Sequence, residues 1–231
     1  MYFIKIQKDK NERFYRSIED ESGTQYGRVY LIEKFGTDRT FYQAAKTTIG
    51  RGFFCEPESD EVVKKLIRNL YNRKHHRIFE FGSLLFGIRC PIYVERQLRT
   101  YRKPEVERSL RYCEPIELVE NIELDESNIK ESIKNLQLAS YRNLRSNGVL
   151  KEDARVILPV SILTEVLSLY SVRSLFHVFT ERRTSATQDL TRKIVECMYS
   201  FAKTAFPITM EAFGNECSRK EKEDPENGSK V

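Results

Sequence analysis

PIYVERQLRTYRKPEVERSLRY, residues Pro91–Tyr112, sets a dense run of charge among buried-looking aliphatics, and the rest of the chain can be read outward from it. It carries five arginines, one lysine and three glutamates among aliphatic residues. Ile92, Tyr93, Val94 and Leu98 come first, then Arg99, Arg102 and Lys103, then Glu107, Ser109, Arg111 and Tyr112. Guanidinium forks match the paired oxygens of phosphate and carboxylate, and each charge-assisted bond contributes about 1.5–3 kcal/mol when shielded from water. The segment reads as an anion-binding site. Pro91 suits a helix start and Pro104 a helix stop, so a helix is predicted over Ile92–Arg102. Ile92, Tyr93 and Arg96 would share one side, leaving Gln97 and an arginine toward a ligand.

Upstream, Phe79–Arg89 is an apolar run broken by glycines and reads as a central strand delivering the chain to Pro91. Before it, Ser59-Asp60-Glu61 opens a helix in which Val62, Val63, Leu66, Ile67, Leu70 and Tyr71 recur at helical spacing. Tyr2–Gln7 and Arg28–Phe35 read as paired strands, and Thr40–Thr48 as a short helix with Asp38 a candidate cap. Downstream, Glu114–Ile122 is predicted as a loop or edge strand and Asp125–Asn147 as an amphipathic helix stopped by Gly148. Gln188–Ala205 is a further helix with Leu190, Ile194, Met198 and Phe201 on its core stripe. Ser218–Val231 is a charged tail without periodicity, to which no structure is assigned.

At 231 residues, with 40% hydrophobic and 32% charged positions, one globular domain over residues 1–217 is predicted. The formal charge of +5 is too small to mark a nucleic-acid binder, though it allows a local cationic pocket. Aromatic residues do not interleave with the arginines in a stacking pattern, which disfavours a nucleic-acid module. No apolar run is long enough to span a bilayer and MYFIKIQKDK lacks a signal-peptide core, so a cytoplasmic protein is expected. Five cysteines without CxxC spacing suggest reduced thiols and no zinc site, and Cys113 reads as a small buried residue. His75-His76 is no metal site by itself, because consecutive side chains diverge.

The same segment resembles the signature of the flavin-dependent thymidylate synthases: RQ, a short gap, RHR, then S-x-N-E-x-S-x-R-Y. Arg96-Gln97 matches its start and Glu107-x-Ser109-x-Arg111-Tyr112 its end. The middle departs: the histidine is missing, Val106 replaces asparagine, and one residue is deleted between Leu98 and Glu105. Counting back from Tyr112 puts Arg99 on the first family arginine, and counting forward from Arg96 puts Arg102 on the second. Further blocks follow in the family's order. Ala44-Ala45-Lys46-Thr47-Thr48 is similar to A-A-R-V-S, and His75-His76-Arg77-Ile78-Phe79-Glu80 to H-x-x-P-F-E-H. Ala154-Arg155 through Leu158-Pro159 is similar to A-R-x-x-L-P, and Ser171 to Arg182 to N-A-R-S-L-x-N-F-x-x-x-R. Ser171 and His177 stand for asparagines, and Ala186 for a histidine.

The resemblance implies an α/β (α+β) fold with a central mixed sheet flanked by helices, and a homotetramer with active sites between subunits. It implies C5 methylation of dUMP with methylenetetrahydrofolate, through FAD recharged by NADPH. Arg111 and Arg155 would then hold phosphate, and Gln97, Glu107, Ser109 and Arg182 the nucleotide. Thr48, His75, Arg99, Arg102, Ser171, Arg173 and His177 would hold FAD. Arg182 would stabilise charge on the ring oxygens. Ser109, with no base in its motif, would hydrogen-bond rather than attack. The altered centre leaves an alternative: a divergent member acting on another pyrimidine nucleotide, or binding nucleotide and flavin without thymidylate synthesis. From the residues alone, Arg155 lies among Ala154, Val156, Ile157 and Leu158, a setting in which a guanidinium is expected to have an anionic partner.

Overall fold

Strands β3 (Gln25–Phe35) and β4 (Ser83–Pro91) form the centre of a six-stranded sheet in a computed structural model that describes residues 2–21, 23–116 and 129–223. On β4, Leu84, Phe86, Ile88 and Cys90 are buried while Ser83, Leu85, Gly87 and Arg89 are half-buried, the period of two that a strand imposes. β1 (Phe3–Lys8) and β2 (Phe14–Glu19) continue the sheet beyond β3, while β6 (Leu163–Ser171) and β5 (Glu105–Glu107) continue it beyond β4. Every pairing is antiparallel. The sheet is thus antiparallel where the sequence reading had a mixed one, within the expected α+β class. The first strand does not pair with Arg28–Phe35 as expected; β2 lies between them.

Helix α1 (Asp38–Thr47) and helix α2 (Asp60–Asn72) precede a 3₁₀ turn at His76–Phe81 that leads into β4. Ser59 caps α2 by accepting from the Val62 N–H, and Val63, Ile67 and Tyr71 form its buried stripe. The turn takes the first part of the run expected to be strand, and Gly82 is the hinge. A Cβ there would lie 2.5 Å from Phe41 Cζ.

Helix α3 (Ile92–Arg99) is shorter than predicted and buries Val94, Glu95 and Leu98 rather than Ile92, Tyr93 and Arg96. Helix α4 (Ile129–Ser146), the single turn α5 (Lys151–Ala154) and a 3₁₀ turn at Arg155–Ile157 follow. Residues 117–128, with the start of the predicted fourth helix, lie outside the described residues. After β6 come α6 (Val172–Arg182), α7 (Asp189–Ala205) and α8 (Pro207–Glu223). α7 lies on the sheet through Leu190, Ile194, Met198 and Phe201, as its stripe predicts, and so close that a Cβ on Gly27 would sit 2.9 Å from Ile194 Cδ1. α8 extends to Glu223, into the segment to which no structure was assigned; residues 224–231 are outside the described residues. No described helix is long and apolar enough to cross a membrane.

Asp38 does not cap its own helix; Thr37 occupies that position and its N–H donates to the Thr40 hydroxyl. Instead the buried Asp38 carboxylate accepts from the N–H groups of Ile208 (3.1 Å) and Thr209 (3.0 Å) and from the Thr209 hydroxyl, capping α8. Asp38→Ala leaves these buried donors unsatisfied and is expected to cost about 2 kcal/mol. For a domain of this size that lowers Tm by about 4–8 °C, measurable by calorimetry.

Candidate active site

A cleft of about 1070 Å³ opens where the C-terminal end of α2, the 3₁₀ turn, the α3–β5 loop and α6 meet. Arg102 from the α3–β5 loop and Arg173 from the start of α6 line it, with His177 and Arg182 along α6 and Tyr71 and Tyr101 as aromatic walls. Arg173 pairs with Glu80, while the exposed Arg102 makes no ion pair among the described residues. Tyr101 sits deeper, with only 8% of its surface exposed. Its hydroxyl donates to Glu181 Oε2 (2.7 Å) and accepts from Arg182 Nε (3.0 Å), and its ring meets His177 edge-on at 5.7 Å. Burial, reinforced by the Glu181 carboxylate, pushes the Tyr101 hydroxyl up to about 12.

Two further regions carry other residues expected at the site. An apolar groove of about 880 Å³ runs from the end of α1 past Phe53, Leu66 and Leu70 to His75 and Phe81. Phe53 and Phe81 are 75% and 62% exposed, so the groove presents a large aromatic surface. Elsewhere, Arg111 pairs with Glu152 (2.7 Å), and the exposed Arg155 donates through Nε to the carbonyl of the same Glu152 (3.2 Å). The family model described as thymidylate synthase complementing protein, Thy1, matches residues 30–208. The chain belongs to this family.

Two relatives show how far the Thy1 likeness reaches. The flavin-dependent thymidylate synthase of Kosmotoga olearia is 32% identical over 213 residues, covering 82% of this chain and 90% of the relative. That of Thermus thermophilus is 28% identical over 207 residues, covering 81% and 75%. Among solved structures, the UMP/dUMP methylase PolB from Streptomyces cacaoi bound with 5-Br dUMP superposes with a TM-score of 0.71 at 23% identity, over 82% of this chain and 95% of that one. The last comparison establishes the Thy1 fold.

Against this Thy1 background the predicted residues divide among several places within one chain. Arg102, Arg173, His177 and Arg182 share the cleft, and Thr48 and His75 share the groove. Arg111 and Arg155 meet at Glu152. Arg155 is exposed and Val156 is 79% exposed, so the expected apolar enclosure of this guanidinium is absent within the chain. Ala154 is buried and Ile157 and Leu158 are half-buried, but the short 3₁₀ turn leaves Arg155 itself and Val156 outward. The Ser109 hydroxyl accepts from the Arg111 N–H and stabilises the turn that presents Arg111. Gln97 donates to the Gln188 side chain at the start of α7 (3.0 Å).

Arg99 and Arg102 are separated by their partners. Arg99 binds Glu95 (2.6 Å) and Glu107 and lies away from the large cleft, beside Glu105, whereas Arg102 faces it. Glu107 is further held by the Thr164 hydroxyl (3.0 Å). Burial pushes the Glu95 carboxyl up even though Arg99 opposes it. Two hydroxyls expected at the flavin are engaged by the backbone: Thr48 donates to the Ala45 carbonyl, and Ser171 accepts from the Ser174 N–H as the cap of α6. Cys113 is half-buried, not buried as expected, because it ends an exposed turn. No metal-holding cluster occurs among the described residues. Sequence reasoning assigned no role to Tyr101 or Glu181; the one local signal was the His177-to-Glu181 spacing of a pair along a helix.

Proposed function

We propose that this protein is a flavin-dependent thymidylate synthase that methylates dUMP at C5 with methylenetetrahydrofolate, using FAD recharged by NADPH. The observation that carries this is the cleft in which Arg102, Arg173 and Arg182 face one space beside His177 and two aromatic walls. Its donor set fits an anionic, planar cofactor beside a nucleotide: guanidinium forks suit the diphosphate of FAD, and aromatic rings suit a flat ring system. Arg102, Arg173 and His177 would hold FAD there, with Thr48 and His75 presenting the apolar groove, and bound FAD supplies the reducing hydride.

The chain's own groups position and polarise. Arg182 places fixed positive charge where the pyrimidine oxygens gain electron density, and Gln97 and Glu107, which do not line the cleft of their own chain, would orient the nucleotide from a neighbouring subunit. Arg111 and Arg155, gathered at Glu152, grip the phosphate. These two lie outside the cleft of their own chain, which supports a homotetramer whose active sites form between subunits. The protein would work in the cytoplasm, on small molecules rather than nucleic acid.

A second reading follows from the altered signature: its central histidine is missing, and Ala186 replaces another. Under it the enzyme acts on a different pyrimidine nucleotide, and UMP is the first to try because the structural neighbour is described as a UMP/dUMP methylase. The test is tritium release from 5-tritiated dUMP, UMP and dCMP with FAD, methylenetetrahydrofolate and NADPH. Release from dUMP is expected. Release from UMP or dCMP alone supports the second reading, and colourless protein that ignores FAD and releases nothing overturns both.

A further inference from the structure

We propose that Glu181 is a positioning residue: by taking the Tyr101 hydroxyl proton as a hydrogen bond, it turns that oxygen's lone pair onto Arg182 and fixes the guanidinium in the cleft. This rests on the reading of Arg182 as the group that meets the pyrimidine. A phenol hydroxyl has one proton to give and lone pairs to accept with. With the proton committed to Glu181 Oε2 at 2.7 Å, the oxygen can only accept from Arg182 Nε, 3.0 Å away. The carboxylate is itself pinned, since His177 Nε2 lies 3.2 Å from Glu181 Oε1, one helical turn back on α6. Arg182 also packs over the Tyr101 ring, its Cζ 5.8 Å from the centroid.

The consequence is directional. Nε is spent on the tyrosine, so the Nη hydrogens of the same planar fork remain to meet a ligand in a fixed plane. An arginine free to swing would lose side-chain entropy on each binding event, whereas this one has already lost it on folding. Because Tyr101 lies in the altered centre of the signature and a tyrosine is no part of the family pattern there, this arrangement is not carried over from the pattern. It belongs to the contacts of this chain.

The test has two arms on the full-length protein. In 15N-arginine-labelled protein without ligand, the Arg182 Nε–H resonance, assigned by its loss in Arg182→Lys, is expected to exchange slowly and to broaden or shift in Tyr101→Phe and Glu181→Gln. A resonance unmoved by Glu181→Gln overturns the proposal. In calorimetric titration with dUMP, each of the two variants is expected to weaken binding about tenfold, the double variant no more than either, and neither to add anything in an Arg182→Ala background. Multiplicative losses overturn the coupling. Wild-type protein that binds neither dUMP nor UMP overturns the functional reading instead, and the resonance arm then decides the positioning by itself.

Discussion

Arg182→Ala is expected to lower kcat/KM for the nucleotide by about 10²–10³, the loss seen when a preorganised donor to developing negative charge is removed. Most of it should fall on kcat, because the charge matters more as electron density moves onto the ring oxygens than in the ground state. The guanidinium is half-buried at the C-terminal end of α6, held by Tyr101, so its removal leaves the core intact. Unfolding temperature should therefore change little while activity collapses. Arg182→Lys should recover little: an ammonium has no planar fork with which to bind Tyr101 and a substrate oxygen together. Turnover within threefold of wild type in Arg182→Ala would remove this residue from the proposed reaction.

The largest stability effect is expected at Lys103, which sequence reasoning treated as one more cation of the signature. Its side chain is only 2% exposed. The ammonium lies 2.6 Å from Glu105, donates to the Leu98 carbonyl (2.9 Å) and sits 5.2 Å from the centre of the Tyr170 ring. Glu105, on the edge strand β5, also accepts from the Ser168 hydroxyl (2.6 Å), which ties β5 to β6. Lys103→Met strands a buried carboxylate and is expected to cost about 3–5 kcal/mol. Replacing Glu105 by leucine in the same chain should recover most of that loss, since an apolar pair of similar volume removes the stranded charge.

The pH dependence gives a separate check. Burial pushes the Glu105 carboxyl up, but Lys103, Ser168 and Arg99 outweigh it and hold it below its ordinary value of 4.5. A depressed folded value means that stability is present above the unfolded one and is lost as pH falls through the folded one. Wild-type protein should therefore lose this contribution on acidification below about pH 4. In Lys103→Met burial is opposed by less, the carboxyl moves up, and the variant should lose less stability than wild type as pH falls from 7 to 5. Denaturant midpoints at the two pH values measure this; identical slopes would contradict it.

Both effects bear on what the sequence discloses. α2 was readable because its cap and its stripe agree, Ser59 and the Val63–Ile67–Tyr71 repeat pointing to one element. β2 was not, because Ser17 and Glu19 are among its buried residues, so the apolar alternation that marks a strand is lost. Glu19 is buried beneath Lys5 and Gln7, whose side chains bond it, a compensation visible only after β1 has paired with β2. In the site, residue type announced anion binding but could not sort the arginines. Arg99 and Arg102 are chemically identical, and only the placement of Glu95 and Glu107 shows that one is committed to carboxylates while the other faces the cleft. Tyr101 and Glu181 were silent because they lie 80 residues apart, Tyr101 in the altered centre of the signature and Glu181 at an unspecified position of the Ser171–Arg182 block, so no pattern joined them.

The cap that Asp38 places on α8 spans 170 residues. During synthesis at about 5–20 residues per second, the carboxylate leaves the ribosome roughly 10–30 s before Thr209 does. Until then the Asp38 carboxylate has none of its α8 donors to accept from, and the aromatic cluster that joins Phe41 to Phe206 stays open. A nascent chain therefore completes its hydrophobic interior only once the residues around Phe206 and Thr209 have been made, and the interval before that is the time when a chaperone has most to cover.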